Sequence, residues 1–190
     1  MIEIKNVSFS YEDKRILSDF SLTVNDGECV CLSGSSGCGK TTVLRLAAGL
    51  EQPDSGEIIT PKKISYVFQE DRLVPNLSII KNIMLCLPKE KKELALSLLR
   101  EVGLEAVKDK KPSELSGGMK RRASIVRAVA FGGDILLLDE PFNGLDSEIK
   151  AKIAEMIRRE FNGKSILMVS HIKEDANLLY SKITEMTNIG

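Results

Sequence analysis

The chain has 190 residues, with 27 Lys plus Arg balanced by 27 Asp plus Glu, so its formal net charge is zero. That length suits one domain with a real hydrophobic core. The charge balance offers no basic excess for a nucleic-acid partner, and no apolar run reaches the roughly 18 residues that a membrane helix needs. A single histidine and four cysteines, at 29, 31, 38 and 86 with no C-x-x-C spacing, argue against a zinc site and for reduced, mostly buried thiols.

In chain order, IEIKNVSFSY alternates apolar and polar residues and reads as a strand without a signal-peptide core. SLTVNDGECVCLSG reads as two strands joined by a hairpin turn at Asp26-Gly27. TTVLRLAAGL has helical spacing and stops at Gly49, and EIIT and KISYVFQ are short strands after the turn QPDSGE. From Pro75 to about Leu115 the pattern becomes helical, with SIIKNIMLCL, which carries Cys86, and KEKKELALSLLREVG. SGGMKRRASIVRAVAFGG is a helix opened and closed by glycines. Strand DILLLDE, helix SEIKAKIAEMIRREFNG, strand SILMVSH, helix KEDANLLYS and a short KITEM complete the chain. Alternating strands and helices imply an α/β fold, with a mainly parallel sheet covered on both faces and a helical insert.

GSSGCGKTT carries the chemistry that is easiest to read. Gly34-x-x-x-x-Gly39-Lys40-Thr41 is a complete phosphate-loop pattern between a strand and a helix. Glycines let successive backbone N–H groups turn around an anion, and the helix N-terminus adds its dipole. Lys40 can reach β- and γ-phosphate oxygens, the Thr41 hydroxyl suits a Mg²⁺ ligand, and Thr42 can bond the α-phosphate. Cys38 lies inside this loop and is expected to respond to thiol reagents.

Asp139-Glu140 closes the apolar run ILLL, which places Asp139 to hold Mg²⁺ through water and Glu140 to polarise an attacking water. Alone, that pair reads equally as a solvated strand end, and Gln69 and His171 alone read as surface residues. All of them fall at carboxyl ends of strands that a parallel sheet gathers on one edge. Ser116, Gly117 and Gly118 open a helix and form a second anion site, or simply an N-cap.

Together these motifs resemble the ATP-binding cassette (ABC) ATPases, in family order from about Tyr11 to His171. GSSGCGKTT corresponds to Walker A, comprising Gly34, Ser35, Ser36, Gly37, Cys38, Gly39, Lys40, Thr41 and Thr42. Gln69 corresponds to the Q-loop, LSGGMKRR to the signature, ILLLDEP to Walker B, Asp146 in NGLD to the D-loop and His171 to the switch histidine. The resemblance implies a P-loop NTPase core over residues 1–190, an N-terminal antiparallel β part and a helical subdomain at about 75–130 carrying the signature.

It also implies MgATP hydrolysis, with Glu140, His171 and Gln69 catalytic. Thr41, Gln69 and Asp139 would serve Mg²⁺, and Tyr11 would stack on adenine. Ser116–Gly118 would act on the ATP of a second cassette subunit, an identical copy in a homodimer, and Asp146 would serve communication between the two. QEDRLVPNLSIIKNI and DEPFNGLD look most like the nitrate, sulfonate and taurine importers, whose ATPase docks on a membrane permease at the inner, cytoplasmic face. A soluble cassette ATPase, as in cluster assembly, and a nucleotide-switch regulator are the alternative readings. Met119 and Arg121 depart from the family, where Gln is common at both positions, and the chain ends soon after His171, which implies a minimal C-terminal layer.

Overall fold

The computed structural model describes residues 1–186. Strands β1 (Ile2–Tyr11) and β2 (Lys14–Val24) pair antiparallel, from Ile2 opposite Val24 to Tyr11 opposite Lys14. Strand β4 (Ser55–Ile59) flanks β1 on its other side, giving a three-stranded antiparallel sheet in the order β2-β1-β4.

The second sheet contains β3 (Cys29–Gly34), β5 (Ile64–Val67), β6 (Ile135–Asp139), β7 (Ser165–Val169) and β8 (Lys182–Met186). Its order is β5-β6-β7-β3-β8 and all pairings are parallel. Asp26-Gly27 therefore does not close a hairpin, contrary to the sequence expectation. β2 and β3 belong to different sheets, and the turn, with Gly27 at φ 74°, carries the chain from one to the other. The cause lies in the two patterns. β2 alternates buried and exposed positions, as one-sided sheets require, whereas Val30, Cys31 and Leu32 are all buried and need cover on both faces.

The parallel sheet divides the core in two. Leu136, Leu138, Ile166 and Met168 point to the side of the helical region, and Ile135, Leu137, Leu167 and Val169 to the side of the antiparallel sheet. That is the two-residue period of a strand buried on both faces. Helix α1 (Lys40–Ala47) follows β3 and packs its Val43, Leu44, Leu46 and Ala47 into the second of these clusters.

The helical region contains α2 (Ile79–Met84), α3 (Lys92–Glu101) and α4 (Gly117–Phe131). Helix α2 is too short to persist alone. It is held by Ile79 and Ile83, which are fully buried with Leu98, Leu99 and Leu104, each side chain contributing about 1.5–3 kcal/mol. It ends before the expected Leu87, because Pro88 disfavours helical backbone in the residue before it. Cys86 thus lies beyond α2 and is exposed, a correction to the expected burial. Helix α4 runs from Ser116, whose hydroxyl accepts from Met119 N–H, to Gly132 in the left-handed conformation at φ 68°. Helices α5 (Ser147–Glu160) and α6 (Lys173–Leu178) alternate with β6, β7 and β8.

Between β5 and α2 the chain runs through residues 68–78, organised by the fully buried Asn82. Its amide accepts from Val74 N–H and donates to the carbonyls of Val74, Leu77 and Ser78. Asn82→Ala should strand these groups and lower stability by about 1–3 kcal/mol. Urea denaturation measures it, and an unchanged midpoint would show that the loop is held by other contacts.

Candidate nucleotide site

Because every strand of the second sheet is parallel, the ends of β3, β5, β6 and β7 share one edge. The loop after β3 closes there on a tight path. Gly34 sits at φ 152°, and a Cβ on it would lie 2.4 Å from Met186 O. Gly39, at φ 98°, caps α1 against Ile16 and Leu17. Lys40 is buried and its Nζ donates to Gly34 O at 2.9 Å and Ser35 O at 2.7 Å, which centres the ammonium within the loop. Its charge and the N-terminal N–H groups of α1 face the same space, an arrangement suited to a polyphosphate.

That space is a cavity of about 270 Å³, lined by Ser36, Gly37, Gly39, Lys40, Thr41 and Thr42 from the loop and α1. Gln69 from the end of β5, Glu140 from the end of β6 and His171 from the end of β7 complete it. Residues read separately from four segments are thus brought into one site.

The Thr41 hydroxyl donates to Asp139 Oδ1 at 3.2 Å across the gap between α1 and β6. Burial raises the Asp139 pKa, opposed by that hydrogen bond and by Arg121. A hydroxyl, a carboxylate and a neighbouring amide are hard oxygen donors of the kind Mg²⁺ takes together with phosphate oxygens and water. Among the described residues no cluster of three or more His, Cys, Asp or Glu forms a protein-only metal cage. The donor set therefore fits an ion that enters with its nucleotide.

Glu140 has a left-handed backbone, φ 49°, which costs a non-glycine residue about 1–3 kcal/mol. Its N–H donates to Val169 O and its carbonyl accepts from Arg121, so flanking elements hold the turn. Its side chain is buried, and burial is the first cause that raises its pKa, with the charge of His171 opposing. Oε1 lies 3.1 Å from His171 Nε2 in a geometry that does not complete a hydrogen bond. Glu140 lines the cavity, and its Oε1, shielded beside His171, is a buried acceptor with no hydrogen-bond donor among the described residues.

Of the expected site residues, Gly34, Ser35, Cys38 and Asp139 adjoin this cavity without lining it, and Tyr11, Ser116–Gly118 and Asp146 are not part of its lining either. Tyr11 packs edge-on against Phe9, with its hydroxyl 3.4 Å from Glu51, and the residue of that region that does reach the cavity is Ile16, which sequence reasoning missed. Ser116 and Gly117 are exposed at the start of α4, away from the cavity lining. Asp146 caps α5, accepting from Ile149 N–H at 2.9 Å. Cys38 is buried with its thiol beside Gly34 rather than toward solvent, which counts against the expected reactivity.

The parallel sheet, the glycine loop leading into α1 and the facing acidic strand end define the P-loop class of nucleotide-binding proteins. A family model described as ABC transporter matches residues 17–143. The chain belongs to the ABC transporter family, as an ATPase domain.

Over 96% of its length the chain is 38% identical to the spermidine/putrescine import ATP-binding protein PotA of Haemophilus influenzae, of which it spans 54%. It is 36% identical over its whole length to the aliphatic sulfonates import ATP-binding protein SsuB 1 of Rhodococcus jostii, of which it spans 80%. The fold matches a dimeric ATP-binding cassette in a post-hydrolysis state bound to ADP and Pi, with TM-score 0.87 and 28% identity, covering 98% of this chain and 94% of that one. An ATP-binding subunit of an ABC transporter matches with TM-score 0.91 and 28% identity, covering 99% of this chain and 86% of that one.

The burial pattern sets an order of thiol reactivity. A bulky maleimide should label the exposed Cys86 in the native protein and spare Cys38 and Cys31 until denaturant is added. Mass spectrometry of tryptic peptides reads the result, and rapid native labelling of Cys38 would place its thiol at the surface instead.

Proposed function

We propose that the chain is the ATP-hydrolysing subunit of an importer, in which two copies close head to tail on ATP and open after hydrolysis. The observation that carries this reading is the Glu140 carboxylate, which lines the phosphate cavity together with Lys40, Gln69 and His171. Lys40 and the loop N–H groups would bind the β- and γ-phosphates. The Glu140 carboxylate would take the proton of the attacking water, and His171 would hold the γ-phosphate. Thr41, Asp139 and Gln69 would hold Mg²⁺, which neutralises charge on the bridged phosphates when bound.

The exposed Ser116–Gly118 terminus would contact the ATP of the second copy, a role supported by its position outside the chain's own cavity. Asp146 would lie at the same interface. For Tyr11 we retain only a place near the nucleotide's outer end.

The names of the relatives support an import system as the context. No helix among the described residues is long and apolar enough to cross a membrane, so attachment at the inner face would come through a permease. A groove of about 380 Å³ between the sheet core and the helical region, with Leu50, Phe68, Leu85 and Phe131 in its walls, would receive a permease segment. Phe68 adjoins Gln69, so occupancy there would reach the site. For the solute we favour the sulfonate-type anions, because QEDRLVPNLSIIKNI and DEPFNGLD look most like that group and a sulfonate importer subunit is among the relatives.

Glu140→Gln keeps the side chain's size and removes its charge. ATP binding should persist while turnover falls on the order of 10²–10⁴-fold. With less negative charge beside the triphosphate, the variant should run as an ATP-dependent dimer on size-exclusion chromatography, dissolved by exchange into ADP. Because burial raises the Glu140 pKa, the acid limb of wild-type kcat should lie above the ordinary carboxylate value of 4.5. Undiminished turnover of the variant would remove Glu140 from this role.

A further inference from the structure

Arg121 lies on the second turn of α4 and is 5% exposed. All five of its guanidinium N–H donors have a backbone carbonyl to meet. Nε donates to Pro141 O at 3.1 Å. One terminal nitrogen donates to Phe68 O at 2.5 Å and Gln69 O at 3.3 Å, and the other to Asp139 O at 2.6 Å and Glu140 O at 2.7 Å. Asp71, 3.7 Å away, supplies the nearest carboxylate. A buried cation with its donors fully satisfied by main chain is costly to assemble and specific in shape, since only a planar fork can serve both carbonyl sets at once.

The carbonyls belong to the two strand ends that carry Gln69 and Glu140. Arg121 also grips the carbonyl of Glu140 itself, the residue held at φ 49°. Its helix begins at Ser116, five residues earlier in the sequence, so the same rigid element carries the exposed signature at its end and the clamp inside.

We propose that Arg121 is a positioning residue for hydrolysis: it fixes the backbone of Glu140 and Gln69 to the signature helix, so that the carboxylate meets water at the γ-phosphate. It touches neither nucleotide nor water and acts through these two residues. The proposal rests on the ATPase reading above. A substitution here should move the catalytic carboxylate while leaving Lys40 and the phosphate loop in place. The loss should therefore fall on kcat and not on ATP affinity.

Arg121→Gln and Arg121→Lys test it. Glutamine offers two donors and lysine a single point charge, so neither spans the five carbonyls. Steady-state turnover, ATP affinity by calorimetry and melting temperature are measured for both beside wild type. Misplacement by about 1 Å costs on the order of 100-fold, so kcat should drop roughly 10- to 100-fold with the ATP dissociation constant within about threefold of wild type. If Arg121→Gln does not fold, Arg121→Lys carries the comparison.

Single-turnover rates complete a cycle with Glu140→Gln. Adding Arg121→Gln to that background should cost less than about threefold more, because a residue acting through Glu140 has little left to lose once the carboxylate is gone. Wild-type kcat in both variants, an equal loss of ATP affinity, or additive losses in the cycle would overturn the proposal. An inactive wild type would instead overturn the ATPase reading on which it stands.

Discussion

Two adjacent carboxylates at the end of a fully buried strand are the constraint on which the site depends. Asp139 and Glu140 leave β6 with almost no exposure, and burial raises both of their pKa values. Water cannot offset that cost, so the surroundings must. Thr41 gives Asp139 a hydrogen bond, Arg121 gathers the carbonyls behind both acids, and His171 and Lys40 bring positive character from the neighbouring elements. The groups that make the acids tolerable are the groups that make the cavity a polyphosphate site. Stability and function draw on the same contacts here, and Glu140 Oε1 is the one carboxylate oxygen among the described residues that is buried without a hydrogen-bond donor.

Topology converts this local chemistry into a site. A parallel sheet gathers the ends of β3, β5, β6 and β7 on one edge, and each contributes a polar residue there. The antiparallel sheet covers one face of the core, and the helical region leans on the other through a separate apolar cluster. Helix α4 joins these regions: its N-terminus is exposed, its apolar face lies in the helical cluster, and its Arg121 and Arg127 reach the carbonyls of residues 68–72. Movement of that helix and geometry at the strand ends are thereby linked within one chain.

Much of this was legible in the sequence, because the motifs are local. A glycine loop between strand and helix, or an apolar run ending in two acids, states its own geometry within nine residues. What was not legible depended on partners far along the chain. The Asp26-Gly27 turn looks like a hairpin locally, and only the demand of β3 for cover on both faces sends it into the other sheet. Cys38 sits in a loop of small polar residues, yet its side chain turns into the core. Arg121 read only as a departure from the family pattern. Its partners are backbone carbonyls some 18 to 53 residues away, and carbonyls carry no side-chain identity to read. Ile16 was missed for a related reason: nothing marks one apolar residue of a strand as the one that reaches a cavity.

The central claim is that each nucleotide site is built from the phosphate cavity of one copy and the signature terminus of another. It is tested most directly by mixing two inactive variants. Ser116→Arg obstructs the exposed terminus and leaves the cavity intact, whereas Lys40→Ala damages the cavity and leaves the terminus intact. Composite sites predict that a mixture, with mixed dimers verified by tagged pull-down, regains hydrolysis up to about a quarter of wild type, since random pairing leaves half the dimers with one undamaged site of two. Mixed dimers that form and remain inactive would contradict the claim.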